Sequence, residues 1–165
     1  NRFPPNAWPI DAAAMLKNID PLLSPELLKV LAEMGHGDEI VLADANFTAT
    51  SLAAGKPLIR LPGVGVQRTA EAVLSLLPLD EMVRCPVAYM QVGGEPEGYR
   101  SAVQREVIVS IGTTSGARPD QCEAMERFAF YERVRSAFAV VQTGELQGWA
   151  NFIFKKGVIA EALRA

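Results

Sequence analysis

The sequence is poor in the residues that build many kinds of active site. Its 165 residues contain one histidine and two cysteines. A single histidine excludes H-E-x-x-H zinc hydrolases and Cys2His2 zinc fingers, which need two. Cys85 and Cys122 are far apart and form no C-x-x-C motif, so no disulfide framework is implied and a reducing cytoplasm is expected. No apolar run approaches the roughly 18–20 residues of a membrane helix.

The chain also lacks a basic excess. It has 16 Lys and Arg against 19 Asp and Glu, a net charge of −3, which argues against a nucleic-acid partner. It contains neither a P-loop motif nor a G-x-S-x-G nucleophile elbow. Gly63-Val64-Gly65 resembles the opening of a dinucleotide loop, but Arg68 stands where the third glycine belongs. We therefore expect no metal, no nucleotide cofactor, no nucleic acid and no membrane partner.

The length suits one domain. Residues 1–14 contain three prolines, show no periodicity and precede Met15, which resembles a native start. We interpret residues 1–14 as an added extension or an N-terminal arm, and residues 15–165 as one domain.

Helical and strand patterns alternate along that domain. Ser24-Pro25 begins a helix that ends before Gly35, and further helices are predicted near residues 66–77, 99–110 and 127–138. Short apolar segments predict strands at residues 39–43, 58–61, 86–91, 139–143 and 149–154. This alternation predicts an α/β fold, a single three-layer α/β/α domain with a mainly parallel sheet.

The segment MGHGDEIVLAD, residues 34–44, contains the only histidine. His36 lies between Gly35 and Gly37 at a helix end, whose partial negative charge favours a protonated imidazole. Asp38 and Asp44 could provide further negative charge, and Asp44 ends a strand, where open α/β sheets bind ligands. His36 is thus a candidate proton donor. The spacing equally allows a surface-turn histidine bonded to helix carbonyls.

Two later segments contain candidate ligand-binding residues. Arg127 enters a helix away from its apolar face, where it could bind a hydroxyl-rich or anionic ligand, or pair with Glu126 or Glu132. Trp149 and Asn151 are two apart in a predicted strand, so they are expected on one face, suited to gripping a sugar ring. The alternative is a core tryptophan, with Asn151 bonded to backbone. We interpret Lys155-Lys156 as a solvated strand end.

Together, residues 19–47, the segment 127–145 and the ending 150–158 resemble the L-fucose mutarotase and D-ribose pyranase family. The GHGDEI motif at residues 35–40 and RFAFYER at 127–133 are the specific features. RFAFYER places the resemblance on the L-fucose mutarotase side.

The resemblance implies roles for individual residues. His36 matches the proton donor, and Asp44, Arg127 and Asn151 match substrate-binding residues. Trp149 stands where the family has a tyrosine, and Ala150 completes the substrate-binding segment. The resemblance also implies a homo-oligomer, often a decameric ring, with the site across a subunit interface. Trp149 and Asn151 would then complete a neighbour's site.

These expectations describe an isomerase that interconverts the α and β anomers of a free monosaccharide, with L-fucose as the expected substrate. Ring opening needs one proton delivered and one removed, which a single histidine can manage without a cofactor. Two alternatives stay open at this point. One is a D-ribose pyranase, and the other is a non-catalytic sugar-binding module in which Trp149 marks lost activity.

Overall fold

A computed structural model describes residues 16–161 as a six-stranded sheet flanked by helices. The helices are α1 (Pro25–Glu33), α2 (Ala49–Ala53), α3 (Val66–Leu74), α4 (Ala102–Ser115) and α5 (Arg127–Ser136), with a 3-10 turn at Pro119–Gln121. The strands are β1 (Glu39–Ala43), β2 (Leu58–Leu61), β3 (Val87–Met90), β4 (Cys122–Met125), β5 (Ala139–Thr143) and β6 (Phe152–Lys155). Their order across the sheet is β2-β5-β1-β6-β3-β4.

The sheet separates two apolar cores. Successive residues of β1 alternate between them: Ile40 and Leu42 pack on one side, while Val41 and Ala43 pack on the other. Buried residues of α1, α3 and α4 belong to the first core, and those of α2 and α5 to the second. The predicted three-layer α/β/α architecture is therefore confirmed.

The sheet is mainly parallel, as predicted, with one reversed strand. The pairs β1–β5, β2–β5 and β3–β4 are parallel, whereas β6 runs antiparallel to both β1 and β3. The residues that precede β6 consequently lie at the carboxyl ends of β1 and β3. Those that follow it lie at the amino end of β1, so β6 contributes to both ends of the sheet.

Some boundaries differ from the sequence predictions. Helix α2 and strand β4 were not predicted, because both are short and neither has a clear apolar period. Helix α4 begins later than predicted, because Ser101 and Gln104 form a capping box at its start. It also ends later than predicted, at Ser115, where Gly116 adopts a left-handed conformation. The last strand begins at Phe152 and not at Trp149.

The predicted boundary at residue 14 lies outside the described residues. Within residues 16–161, no helix is both long and apolar enough to span a bilayer.

Candidate functional site

His36 lies in the tight turn between α1 and β1. Helix α1 ends at Glu33, and Gly37 adopts a left-handed φ of 85°, which a residue with a side chain would disfavour. Gly35 has no positive φ, so only one of the two flanking glycines is needed for backbone geometry. The turn is also held by β6: Gly37 N–H donates to the Lys156 carbonyl, and Lys156 N–H donates to the Asp38 carbonyl, each at 2.8 Å.

The acidic partner of His36 is Asp80, which the sequence analysis missed. The Nε2 atom of His36 lies 3.3 Å from Oδ2 of Asp80, whose side chain is 5% exposed, whereas that of His36 is 43% exposed. The other oxygen of Asp80 accepts from Met82 N–H at 3.0 Å. This backbone bond, and then the contact with His36, lower the pKa of Asp80 below its ordinary value of 3.8. Asp38 instead accepts from Gly35 N–H at 2.7 Å.

Asp80 reaches His36 because two chain segments approach closely. Asp80 N–H donates to the Lys155 carbonyl at 3.0 Å, and Gly157 N–H donates to the Pro78 carbonyl at 2.8 Å. A Cβ atom on Gly157 would lie 2.5 Å from the Leu79 carbonyl oxygen, so only glycine permits this approach.

Lys156 changes the electrostatics expected at the end of α1. Its ammonium donates to the carbonyls of Leu31, at 2.8 Å, and Met34. It therefore compensates the partial negative charge that was expected to act on His36. Lys155 pairs with Glu39 at 3.3 Å. The interpretation of these lysines as a solvated strand end is wrong, because both bind partners on neighbouring elements.

The Asp80 contacts predict a pH dependence of stability. Because folding lowers the pKa of Asp80, its ionised form stabilises the folded state fully above pH 3.8, and this contribution is lost as the pH falls below that value. We expect Asp80→Asn to lower the free energy of unfolding at neutral pH, with the deficit shrinking at about pH 3. Urea unfolding at several pH values measures this, with Glu33→Gln as the control. A deficit independent of pH would contradict the prediction.

Asp44 and Asn151 meet at the opposite end of β1. Asn151 Nδ2 donates to Oδ2 of Asp44, and Asp44 N–H donates to Oδ1 of Asn151, both at 2.9 Å. Both residues are buried. Burial raises the pKa of Asp44, an effect opposed by the hydrogen bond from Asn151 and by backbone donors of Asn46, Phe47 and Trp149. The two hydrogen bonds make a buried polar pair at this end of the sheet.

Trp149 is not part of a strand. It has a left-handed φ of 67°, so the prediction that it and Asn151 share a strand face is wrong. Asn151 makes the backbone bond of the alternative interpretation, since it accepts from Asp44 N–H. Ala150 is fully buried between them. The Trp149 side chain lines a surface cleft, and its indole N–H makes no hydrogen bond within residues 16–161.

Arg127 lies in the same cleft, which has a volume of about 390 Å³. Its guanidinium stacks over the Phe128 ring at 4.6 Å. Both acidic residues that could have paired with it have other partners: Glu126 accepts from two N–H groups of α5, and Glu132 pairs with Arg135 at 3.2 Å. Among the described residues, Arg127 therefore keeps its hydrogen-bonding capacity for a ligand.

The structure separates the candidate residues into two groups. His36 precedes β1 and Asp44 follows it, so at about 3.3 Å per residue the five-residue strand separates them by roughly 16 Å. Arg127, Trp149 and Asn151 lie at the Asp44 end. We call these the His36 end and the Asp44 end. A single monosaccharide cannot touch both ends of one chain.

The glycines near α3 do not provide a free phosphate site. A Cβ on Gly65 would lie 3.2 Å from a carboxylate oxygen of Glu145, so the protein's own carboxylate lies beside the start of this helix.

Known proteins resemble the chain over most of its length. Residues 17–159 match the RbsD / FucU transport protein family. The L-fucose mutarotase of Actinobacillus pleuropneumoniae serotype 5b is 48% identical over 145 residues, covering 87% of this chain and 97% of the relative. The fucose mutarotase of Bos taurus is 49% identical over 148 residues, with 88% and 95% covered.

A solved structure also resembles this chain in fold. The fucose mutarotase of Streptococcus pneumoniae in complex with L-fucose superposes with a TM-score of 0.79 at 40% identity, covering 88% of this chain and all of that one. The protein therefore belongs to the RbsD / FucU family, on the L-fucose mutarotase side that its RFAFYER motif predicts.

Proposed function

We propose that this protein is an isomerase that interconverts the α and β anomers of a free aldose, with L-fucose as its substrate. The observation that supports this most directly is a cleft in which the Arg127 guanidinium and the Trp149 indole N–H are both free to bind a ligand. Curated relatives at about half identity, named L-fucose mutarotase, match nearly their whole length to this chain.

The proposed reaction requires one proton donor and one proton acceptor. Opening the hemiacetal ring delivers a proton to the ring oxygen and removes one from the anomeric hydroxyl, and closure on the other carbonyl face reverses both transfers. The exposed imidazole of His36 can supply or accept these protons, because histidine can act as either a general acid or a general base. Asp80 orients the ring through Nε2.

The Asp44 end would hold the sugar. Arg127 would donate hydrogen bonds to the sugar hydroxyls, and Trp149 would present its indole face to the ring. Asp44, Ala150 and Asn151 would shape and support the floor of this site. Because Trp149 has no hydroxyl, any proton transfer by the family's tyrosine would fall to another group, and His36 is our candidate.

We infer that a site built from both ends requires a second subunit. We propose a homo-oligomer, such as a decamer, in which the His36 end of one protomer faces the Asp44 end of the next. Both ends expose large apolar side chains: Met82 and Ile159 lie beside Asp80, and Phe128 lines the cleft of Arg127 and Trp149. A contact between two different surfaces repeats from subunit to subunit, and it forms a ring when the rotation between neighbours closes, as we propose here.

We place the enzyme in the cytoplasm. Cys85 and Cys122 are both free thiols, consistent with a reducing compartment.

Saturation-transfer NMR tests the proposed activity. Catalytic amounts of protein should accelerate exchange between the α and β signals of L-fucose above the rate in buffer. The same spectra with D-ribose distinguish exchange between pyranose and furanose forms. Line broadening without faster exchange would indicate a sugar-binding module, and exchange at the buffer rate for fucose, ribose and galactose would overturn the proposal.

A further inference from the structure

Gln104 is a fully buried amide with every polar atom in use. Its Nε2 donates to the carbonyl of Met90 at 2.8 Å and to the carbonyl of Trp149 at 2.9 Å. Its Oε1 accepts from Ser101 N–H at 3.0 Å, which fixes the amide orientation. The side chain thus joins the start of α4 to the last residue of β3 and to the segment before β6.

The bond to Trp149 falls on a strained residue. A left-handed φ is unfavourable for a bulky side chain and persists only where the surroundings hold it. Gln104 holds the carbonyl of this residue, while Trp149 N–H points towards the Asp44 carboxylate. Both backbone polar groups of Trp149 are therefore fixed, and they determine where its side chain leaves the backbone.

Gly93 fixes the other end of the Trp149 side chain. A Cβ on Gly93 would lie 2.8 Å from the indole Cη2 atom and 3.1 Å from Cζ2. The φ of Gly93 is not positive, so its backbone would accept alanine. Glycine is therefore needed at position 93 because the absence of a side chain permits the close approach of the indole. The conformation of the turn does not require it.

We propose that Gln104 and Gly93 are positioning residues for sugar binding, because together they fix the Trp149 indole over the cleft beside Arg127. This inference rests on the proposed function. The role of Gly93 depends on a tryptophan at position 149, because the indole atoms Cη2 and Cζ2 are the ones that approach Gly93.

The first test is Gln104→Met, which keeps a long side chain but removes both bonds donated by Nε2. We expect KM for L-fucose to rise about three- to tenfold, the range of one lost aromatic contact, with kcat changed less than about twofold. In a Trp8→Phe background, Trp149 is the only tryptophan, and its emission should shift even without sugar.

Two further variants complete the test. Gly93→Ala leaves Gln104 intact but places a methyl group against the indole. It should raise KM and shift the Trp149 emission as Gln104→Met does. This variant keeps the proposal testable if Gln104→Met does not fold. Ser101→Ala removes the Oγ that accepts from Gln104 N–H at 3.3 Å. This control weakens the cap of α4, as Gln104→Met also does, but keeps the bond to Trp149, so KM should be unchanged.

The outcomes separate the two proposals. Unchanged KM and emission in the folded variants of an active protein would overturn the positioning roles, as would an equal rise in KM for Ser101→Ala. If the wild-type protein catalyses no exchange, the proposed function fails, and a Trp149 emission shift in both variants would still support the packing of the indole on Gly93.

Discussion

The His36→Ala protein should leave the exchange between L-fucose anomers at about the rate measured in buffer alone. His36 is the only imidazole in the chain, and a positioned general acid or base contributes about 10²–10⁴-fold. Its side chain is substantially exposed, so its removal should leave the fold intact. Saturation-transfer NMR at equal protein concentrations measures the loss.

A variant on the preceding helix, α1, controls for general effects of substitution. Lys29→Ala removes an exposed i,i+4 ion pair with Glu33 and should retain wild-type exchange. Wild-type exchange in the His36→Ala protein would show that another group transfers the proton, and the assignment of His36 would then be wrong.

Mixing two inactive variants should restore activity if the site spans two subunits. A site then needs His36 from one protomer and Arg127 from its neighbour. In oligomers assembled at random from equal amounts of His36→Ala and Arg127→Ala chains, the first protomer of a site carries an intact His36 with a probability of one half. Its neighbour carries an intact Arg127 with the same probability. About a quarter of the sites should therefore be complete, giving about a quarter of the wild-type exchange rate.

The mixed sample must be unfolded and refolded together so that subunits exchange, with each variant treated alone as the control. A second mixture of Arg127→Ala with Asn151→Ala provides the matched negative result, because both residues lie at the Asp44 end and the same neighbour must supply both. Recovery in that mixture, or none in the first, would contradict a site shared between the two ends.

Much of the fold could be predicted from short-range patterns. The bounds of β1, β2 and β5 agree with the sequence prediction, because each is a short apolar segment bounded by polar or turn residues. The start of α1 was also predictable: Ser24 Oγ accepts from Leu27 N–H, and Pro25 occupies the first turn. Local sequence patterns were therefore enough to locate these elements.

The missed features depend on contacts between distant segments. Asp80 is 44 positions from His36 in the sequence, and only the close approach permitted by Gly157 brings the two together. Lys156 caps α1 from 122 positions away through Met34. A left-handed Trp149 gives no sequence signal either, since tertiary contacts hold it in place. Long-range geometry of this kind is not encoded in local spacing.

The placement of His36 and Asp44 at opposite ends of β1 has a consequence for how many sites an assembly contains. In a closed ring every His36 end faces an Asp44 end, so the number of complete sites equals the number of subunits. If the site spans two subunits as proposed, a linear chain of the same subunits leaves one unmatched half-site at each terminus, and a lone protomer has no complete site. Activity per subunit should therefore fall with dilution, even where each protomer stays folded.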